Sequence, residues 1–320
     1  MSFSRIIGYE RNISLLRRAL ATGKLAHAYL FYGIDGSGMK DTALALVKAI
    51  FCNGSDGCGE CSSCRKIAGL RHPDLHIVQP DGAFIKIDQI RELQKELSYR
   101  PFEAAKKACI IEDADKMNIS AANAFLKTLE EPSGDAILIL MTTHVDAVIP
   151  TILSRCQQLR FPSLPTETIA AQLRVNGIDE DSARIAAALA GGSVERAQEI
   201  VEGDWLQARK SLLEKIAALS PERIIQLFAA AEESAKDKES AFHLVDLLNV
   251  FWRDVLLTHT GSPEIVNSDL VPLIRELSER NSLESVIEKL ERISRTRQAL
   301  TRNANPRLAI EVLMMSLGDR

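Results

Sequence analysis

At 320 residues the chain is long enough for two or three domains of roughly 150 residues each, and 46% hydrophobic residues suffice for ordinary soluble cores. A net charge of −4 and a pI near 6.0 exclude a globally basic nucleic-acid coat, though not a local basic face. No apolar run reaches the roughly 18 residues of a membrane helix, and the start MSFSRIIGYERN has no apolar signal core, so a cytoplasmic location is expected.

Six cysteines, four of them crowded together, point to a metal rather than to disulfides. Near the N-terminus, Ile13, Leu15, Leu16, Ala19 and Leu20 are spaced as one helix face. Leu30, Phe31 and Tyr32 read as the end of a buried strand, Gly33, Gly36 and Gly38 as a loop, and Asp41 to Phe51 as a helix. Strand, glycine loop and helix make a phosphate-binding P-loop. The template G-x-x-x-x-G-K-[ST] fits at Gly33 and Gly38 and then fails. Met39 stands at the phosphate lysine and Lys40 at the magnesium hydroxyl, so that Lys40 and Thr42 come one and two residues late. The loop predicts a nucleotide-binding fold that has lost its own chemistry.

Cys52, Cys58, Cys61 and Cys64 follow directly. Two overlapping C-x-x-C steps and a fourth cysteine supply the tetrahedral thiolate set of a structural zinc site. Gly54, Gly57 and Gly59 permit the tight turns it needs. The alternative is a set of buried or redox thiols. His72 and His76 are surplus to four sulfur ligands.

Leu75 to Val78 reads as a short strand, and Ile87 to Leu97 as an amphipathic helix with Arg91 and Lys95, followed by Arg100, off its apolar face. Lys107 to Lys116 begins as a buried strand and ends in acids, Glu112 and Asp113. Acids at the carboxyl end of a central strand face the ligand crevice of an α/β sheet. They read as a Walker B pair in inverted order, or as two solvated acids. Asn118 to Leu129 is a helix stopped by Glu130-Glu131-Pro132-Ser133-Gly134; Ala136 to Met141 is an apolar strand ending at Thr142 and Thr143. A short helix within 148–156 and a strand over 158–161 complete the alternation, which predicts a parallel sheet with helices on both faces. After the linker Pro162-Ser163-Leu164-Pro165 only helical periodicity remains: 166–176, 179–189, a helix opening at Gly191-Gly192-Ser193, then 205–218, 221–236, 240–258, 268–280, 283–302 and 307–317.

These residues resemble the clamp-loader branch of the AAA+ proteins over essentially the whole length. The resemblance rests on Ile7-Gly8-Tyr9-Glu10, on His27 to Phe31, on the four-cysteine insert, and on Ser120 to Pro132 with its LKTLEEP block. Ser154-Arg155-Cys156 and Asn303 to Leu308 complete it. It implies a RecA-like α/β AAA+ domain over 1–161, a helical lid over 162–204 and a helical collar over 205–320 that assembles a five-membered ring. It implies further that ATP lies at subunit interfaces, where Arg155 reaches the γ-phosphate held by the neighbour. A guanidinium can bridge phosphate oxygens there and neutralise charge developing in phosphoryl transfer.

The family's sites in cis depart together. They are the P-loop residues Gly33, Gly36, Gly38, Lys40 and Thr42, the inverted Glu112 and Asp113, and Glu195 at the lid sensor position with Arg196 one residue late. Thr142 and Thr143 keep the chemistry of the first sensor. The resemblance thus implies a non-catalytic ring subunit that carries structural zinc, partners ATPase subunits and acts with the sliding clamp on primed DNA. Two alternatives are a working AAA+ ATPase that recruits Lys40, and a zinc-dependent DNA-binding module.

Overall fold

The computed structural model describes residues 2–52, 56–131, 135–202, 205–217, 237–262 and 264–318. The chain divides into two compact units: Met1–Pro165 with Gly192–Glu195, and Thr166–Gly191 with Arg196–Arg320.

The first unit holds strands β1 (Ala28–Gly33), β2 (Leu75–Val78), β3 (Lys107–Ile111), β4 (Ala136–Thr142) and β5 (Gln157–Phe161) in one sheet of order β2-β3-β4-β1-β5. Every neighbouring pair is parallel. A parallel sheet covered on both faces needs continuous apolar strands, and β3 is buried at every position. Successive side chains point to opposite faces. Tyr29 and Phe31 join Phe3, Leu16 and Leu46 on one face, whereas Leu30 joins Ile90 and Phe125 on the other. Helices α1 (Glu10–Ala21) and α2 (Met39–Phe51) supply the first layer. Between α2 and β2 lies α3 (Ser62–Ala68), a helix of 7 residues that the periodicity does not reveal. Helices α4 (Ile87–Ser98), α5 (Ile119–Glu130) and the single turn α6 (Pro150–Leu153) lie on the second face.

Buried Asp74, just before β2, fixes the stretch leading into β3. Its carboxylate accepts the backbone N–H groups of Phe102, Glu103 and Ala104 at 2.6, 2.7 and 2.8 Å. Burial opposes its ionisation, but the three donors outweigh that and hold the carboxyl below the usual range.

The second unit has no strand among its described residues. Its helices are α7 (Thr166–Val175), α8 (Glu180–Leu189), most of α9 (Val194–Glu202), α10 (Trp205–Ala217), α11 (Lys238–His259), α12 (Val271–Arg280), α13 (Leu283–Thr301) and α14 (Pro306–Gly318). A buried polar knot joins them. Asp254 of α11 accepts Asn267 N at 2.8 Å and Asn267 Nδ2 at 2.6 Å. Arg209 of α10, also buried, donates to Asn267 and Asp269. The Arg209 charge is thus paired with Asp269, and the Asp254 carboxylate is satisfied by neutral N–H donors, as burial of a polar group demands. The expected helix over 221–236, Gly54 and the stop at Pro132-Ser133-Gly134 lie outside the described residues. Among the described residues no helix is long and apolar enough to cross a membrane.

Candidate functional site

The strand registers place the site. Leu30 is level with Leu140, and Leu140 with Ile111. The loop after β1, the acids after β3 and Thr142 at the end of β4 therefore leave the same carboxyl edge. Because α2 covers one face and α5 the other, that edge is the crevice in which α/β sheets present ligands.

The loop needs its glycines. Gly36 and Gly38 hold φ of 63° and 82°, the left-handed region that favours glycine. Gly36 also has no room for a Cβ, which would come within 2.2 Å of Ser193 Oγ. The Ser193 hydroxyl and the Glu195 N–H both donate to the Gly36 carbonyl, at 3.0 and 3.4 Å. The start of α9 is thus bonded to the loop at the expected lid-sensor position. Gly38 caps α2, Met39 is buried beside it, and the Thr42 hydroxyl donates back to the Gly38 carbonyl at 2.7 Å.

Lys40 is committed elsewhere. Its Nζ lies 2.8 Å from Glu112 Oε1, and the other carboxylate oxygen of Glu112 accepts Gln79 Nε2 at 3.0 Å. In a working P-loop protein the helix hydroxyl and the strand-end acid hold magnesium between them. Here positions 40 and 112 are joined directly, ammonium to carboxylate. Asp113 sits at φ 50° and pairs with Lys116 at 2.9 Å. The Thr142 hydroxyl donates to Asp115, and Thr142 Oγ1 accepts the His144 N–H at 2.9 Å. Asp115 and Gln79 are site neighbours that the sequence does not single out. Nothing in local spacing marks them.

Arg155 follows α6. Its Nη2 lies 2.6 Å from Glu130 Oε1, while Nη1 donates to the Thr151 carbonyl at 3.1 Å and to Ser154 Oγ at 3.4 Å. The side chain keeps 36% of its exposure. Next to it Cys156 is a core residue whose thiol burial pushes up to about 12. Arg196 lies in the second unit, 3.6 Å from Asp246. Of the basic residues near α4, Arg91 pairs with Asp88 at 3.5 Å, and Lys95 and Arg100 are exposed.

The four cysteines converge. The Sγ atoms of Cys52, Cys58, Cys61 and Cys64 all lie within 4.8 Å of one another, and those of Cys52 and Cys61 are 3.9 Å apart. Four sulfurs at about 2.3 Å from one zinc stand roughly 3.8 Å apart, so the set fits the metal. Backbone N–H groups already point at sulfur. Cys58 N donates to Cys52 Sγ, Cys61 N to Cys58 Sγ and Cys64 N to Cys61 Sγ, at 3.4, 3.3 and 3.4 Å. The backbone donors of Cys61 and Glu60 draw the Cys58 thiol down to about 6, while burial pushes Cys64 up to about 12. Gly57 and Gly59 hold φ of 74° and 79°. Gly57 lies so close to α2 that a Cβ would stand 2.9 Å from Lys48 Cβ. His72 is buried against Phe51 with ring centroids 4.8 Å apart, and His76 lies on β2; neither belongs to the sulfur cluster.

Comparison with known proteins gives consistent results. A family model described as "DNA polymerase III, delta subunit" matches residues 8–165, and one described as "DNA polymerase III, delta subunit, C terminal" matches residues 203–318. The chain is 32% identical over 315 residues to DNA polymerase III subunit delta' of Bacillus subtilis, covering 97% of this chain and 96% of the relative. It is 28% identical over 350 residues to DNA polymerase III subunit tau of the same organism, covering 98% of this chain but only 61% of tau. A crystal structure of a DNA polymerase III gamma subunit-related protein from Thermotoga maritima superposes with a TM-score of 0.54 at 20% identity, covering 96% of this chain and 98% of the other. That likeness bears on the fold alone.

Proposed function

The chain belongs to the delta-prime subunit family of DNA polymerase III, and from that premise we propose that it is a non-catalytic member of the clamp-loader ring. In this reading it contributes Arg155 to the ATP site of an adjoining gamma/tau subunit, assembles with those subunits and with delta, and helps place the sliding clamp on primed DNA. It has no ATP turnover of its own within the polymerase III holoenzyme. In this reading residues 1–161 act as the AAA+ domain, 162–204 as the lid and 205–320 as the collar, and the protein works in the cytoplasm.

The observation that carries the reading is the Lys40–Glu112 ion pair at 2.8 Å. With Met39 at the lysine position, Lys40 is the cation nearest in sequence to the one a phosphate grip needs, and it is bound to the acid that would otherwise help hold magnesium. A working ATPase that recruits Lys40 would have to break this pair first, which weighs against that alternative. The P-loop is therefore a retained scaffold, and Glu112, Asp113 and Thr142 serve that scaffold.

Zinc is the cofactor proposed for Cys52, Cys58, Cys61 and Cys64, with a structural role, because all four positions of a tetrahedral ion are filled by protein. Arg91, Lys95 and Arg100 form a solvated or partner-facing surface, and any phosphate contact they made in the ring would be sequence-independent. A free-standing zinc-dependent DNA reader is disfavoured, since the cysteine cluster lacks interleaved aromatic and basic residues.

Reconstitution tests the assignment. Purified gamma/tau and delta subunits should load the clamp on primed DNA when this chain is added and should fail without it. Loading at full rate in its absence would refute the assignment.

A further inference from the structure

Arg155 does not stand alone on the surface, and its partner comes from another helix. Glu130 is the last residue of α5, and α5 packs on α6. The Glu130 carboxylate accepts Arg155 Nη2 at 2.6 Å, and the Thr151 carbonyl and Ser154 hydroxyl take Nη1 at 3.1 and 3.4 Å. A guanidinium has five N–H donors in a rigid fork. Among the described residues these three contacts engage three of them, leaving Nε–H and the second Nη2–H without a hydrogen bond in this chain. The guanidinium is thereby fixed in plane and direction with two donors still available, the number needed to bridge two phosphate oxygens.

We infer that Glu130 is a positioning residue for Arg155, aiming the guanidinium at the nucleotide of the neighbouring subunit. The inference rests on the reading of Arg155 as a residue acting in trans. A carboxylate so close to a cation could instead hold it back from the phosphates. The energies decide against that role. Glu130 and Arg155 keep 51% and 36% of their side-chain exposure, and an ion pair so open to water is weak. It cannot outcompete a triphosphate for the cation. It can select one rotamer of a long, flexible side chain, because that needs only a modest bias. The two fixed Nη1 contacts come from the residue's own turn, so among the described residues Glu130 is the one anchor outside it.

The test uses the complete reconstituted loader carrying this chain as wild type, Glu130→Ala, Glu130→Gln, Arg155→Ala or the Glu130→Ala/Arg155→Ala double variant. Glu130→Ala should lower the single-turnover rate of ATP hydrolysis at the adjoining site about fivefold, the scale of an exposed ion pair, with the affinity for ATP unchanged. Glu130→Gln, which keeps the oxygen acceptor without the charge, should fall between. In the Arg155→Ala background, Glu130→Ala should change nothing further, because its effect passes through Arg155. Additional loss in that background would show that Glu130 acts on the fold and would overturn the inference. So would a rise in turnover with Glu130→Ala, or no change with it while Arg155→Ala is impaired. Full turnover with Arg155→Ala would instead remove the in-trans reading itself, and the inference with it.

Discussion

Replacing Arg155 by alanine is expected to slow ATP hydrolysis at the adjoining subunit's site by about a thousandfold, the scale of an arginine supplied in trans to phosphoryl transfer. The magnitude follows from what is lost. A guanidinium neutralises charge on the transferring phosphoryl group and holds its oxygens bidentately, and a methyl group does neither. Arg155→Lys should recover only a small part, because an ammonium keeps the charge and loses the fork. Single-turnover hydrolysis by the reconstituted loader is the measurement, since steady-state rates would average this site with the loader's other sites. The folded chain should be almost unaffected. The half-exposed Arg155–Glu130 pair contributes at most about 1 kcal/mol, so the melting temperature should stay within a few degrees of wild type. A variant that hydrolyses normally would show that Arg155 serves only the local structure around α5 and α6.

The second large effect is expected at the cysteine cluster. Metal analysis of the purified chain should give one zinc, and Cys64→Ser should lose it. The cost in stability should be several kcal/mol, because a structural zinc site rarely exists without its metal and its binding energy is folding energy. Beyond the packing of Ile67 into the core, the local structure relies on its sulfurs. Helix α3 has 7 residues, too few to persist on propensity alone. Its N-cap is Cys61, whose sulfur accepts the Cys64 N–H at 3.4 Å. Metal removal or Cys64→Ser should lower the melting temperature by roughly 10 °C. Cys109→Ser and Cys156→Ser should retain the zinc, since both thiols are buried in the core facing α4 and α5. An unchanged melting curve after complete metal removal would refute a structural role.

The sheet was legible because buried parallel strands are written as unbroken apolar runs, and β1, β3 and β4 stand where those runs stand. The carboxyl-edge site was legible for the same reason, since the ends of the runs placed the loop, Glu112 and Thr142 together. The cysteine cluster was legible from spacing, which chelation constrains directly.

The polar pairings were not legible. Lys40 with Glu112 and Glu130 with Arg155 join side chains brought together by the layering of α2, α5 and α6 on the sheet, and Thr142 with Asp115 joins the ends of paired strands β4 and β3. Polar partners of this kind leave no period in the sequence. The bond from Ser193 to the Gly36 carbonyl spans 157 positions, and its sequence trace is only a Gly-Gly-Ser turn that reads equally well as an ordinary helix start. Helix α3 was missed because it is held by sulfur capping and packing rather than by an amphipathic repeat.

Direct titration of the purified chain with Mg·ATP tests the central claim, that this protein's part in ATP chemistry is played at another subunit's site. With Lys40 bound to Glu112 and Met39 at the phosphate-lysine position, no saturable binding is expected below about millimolar ATP, where interaction energies fall to roughly 4 kcal/mol, and no turnover is expected at any concentration. Micromolar affinity accompanied by hydrolysis would contradict the account and restore the loop after β1 as a working active site.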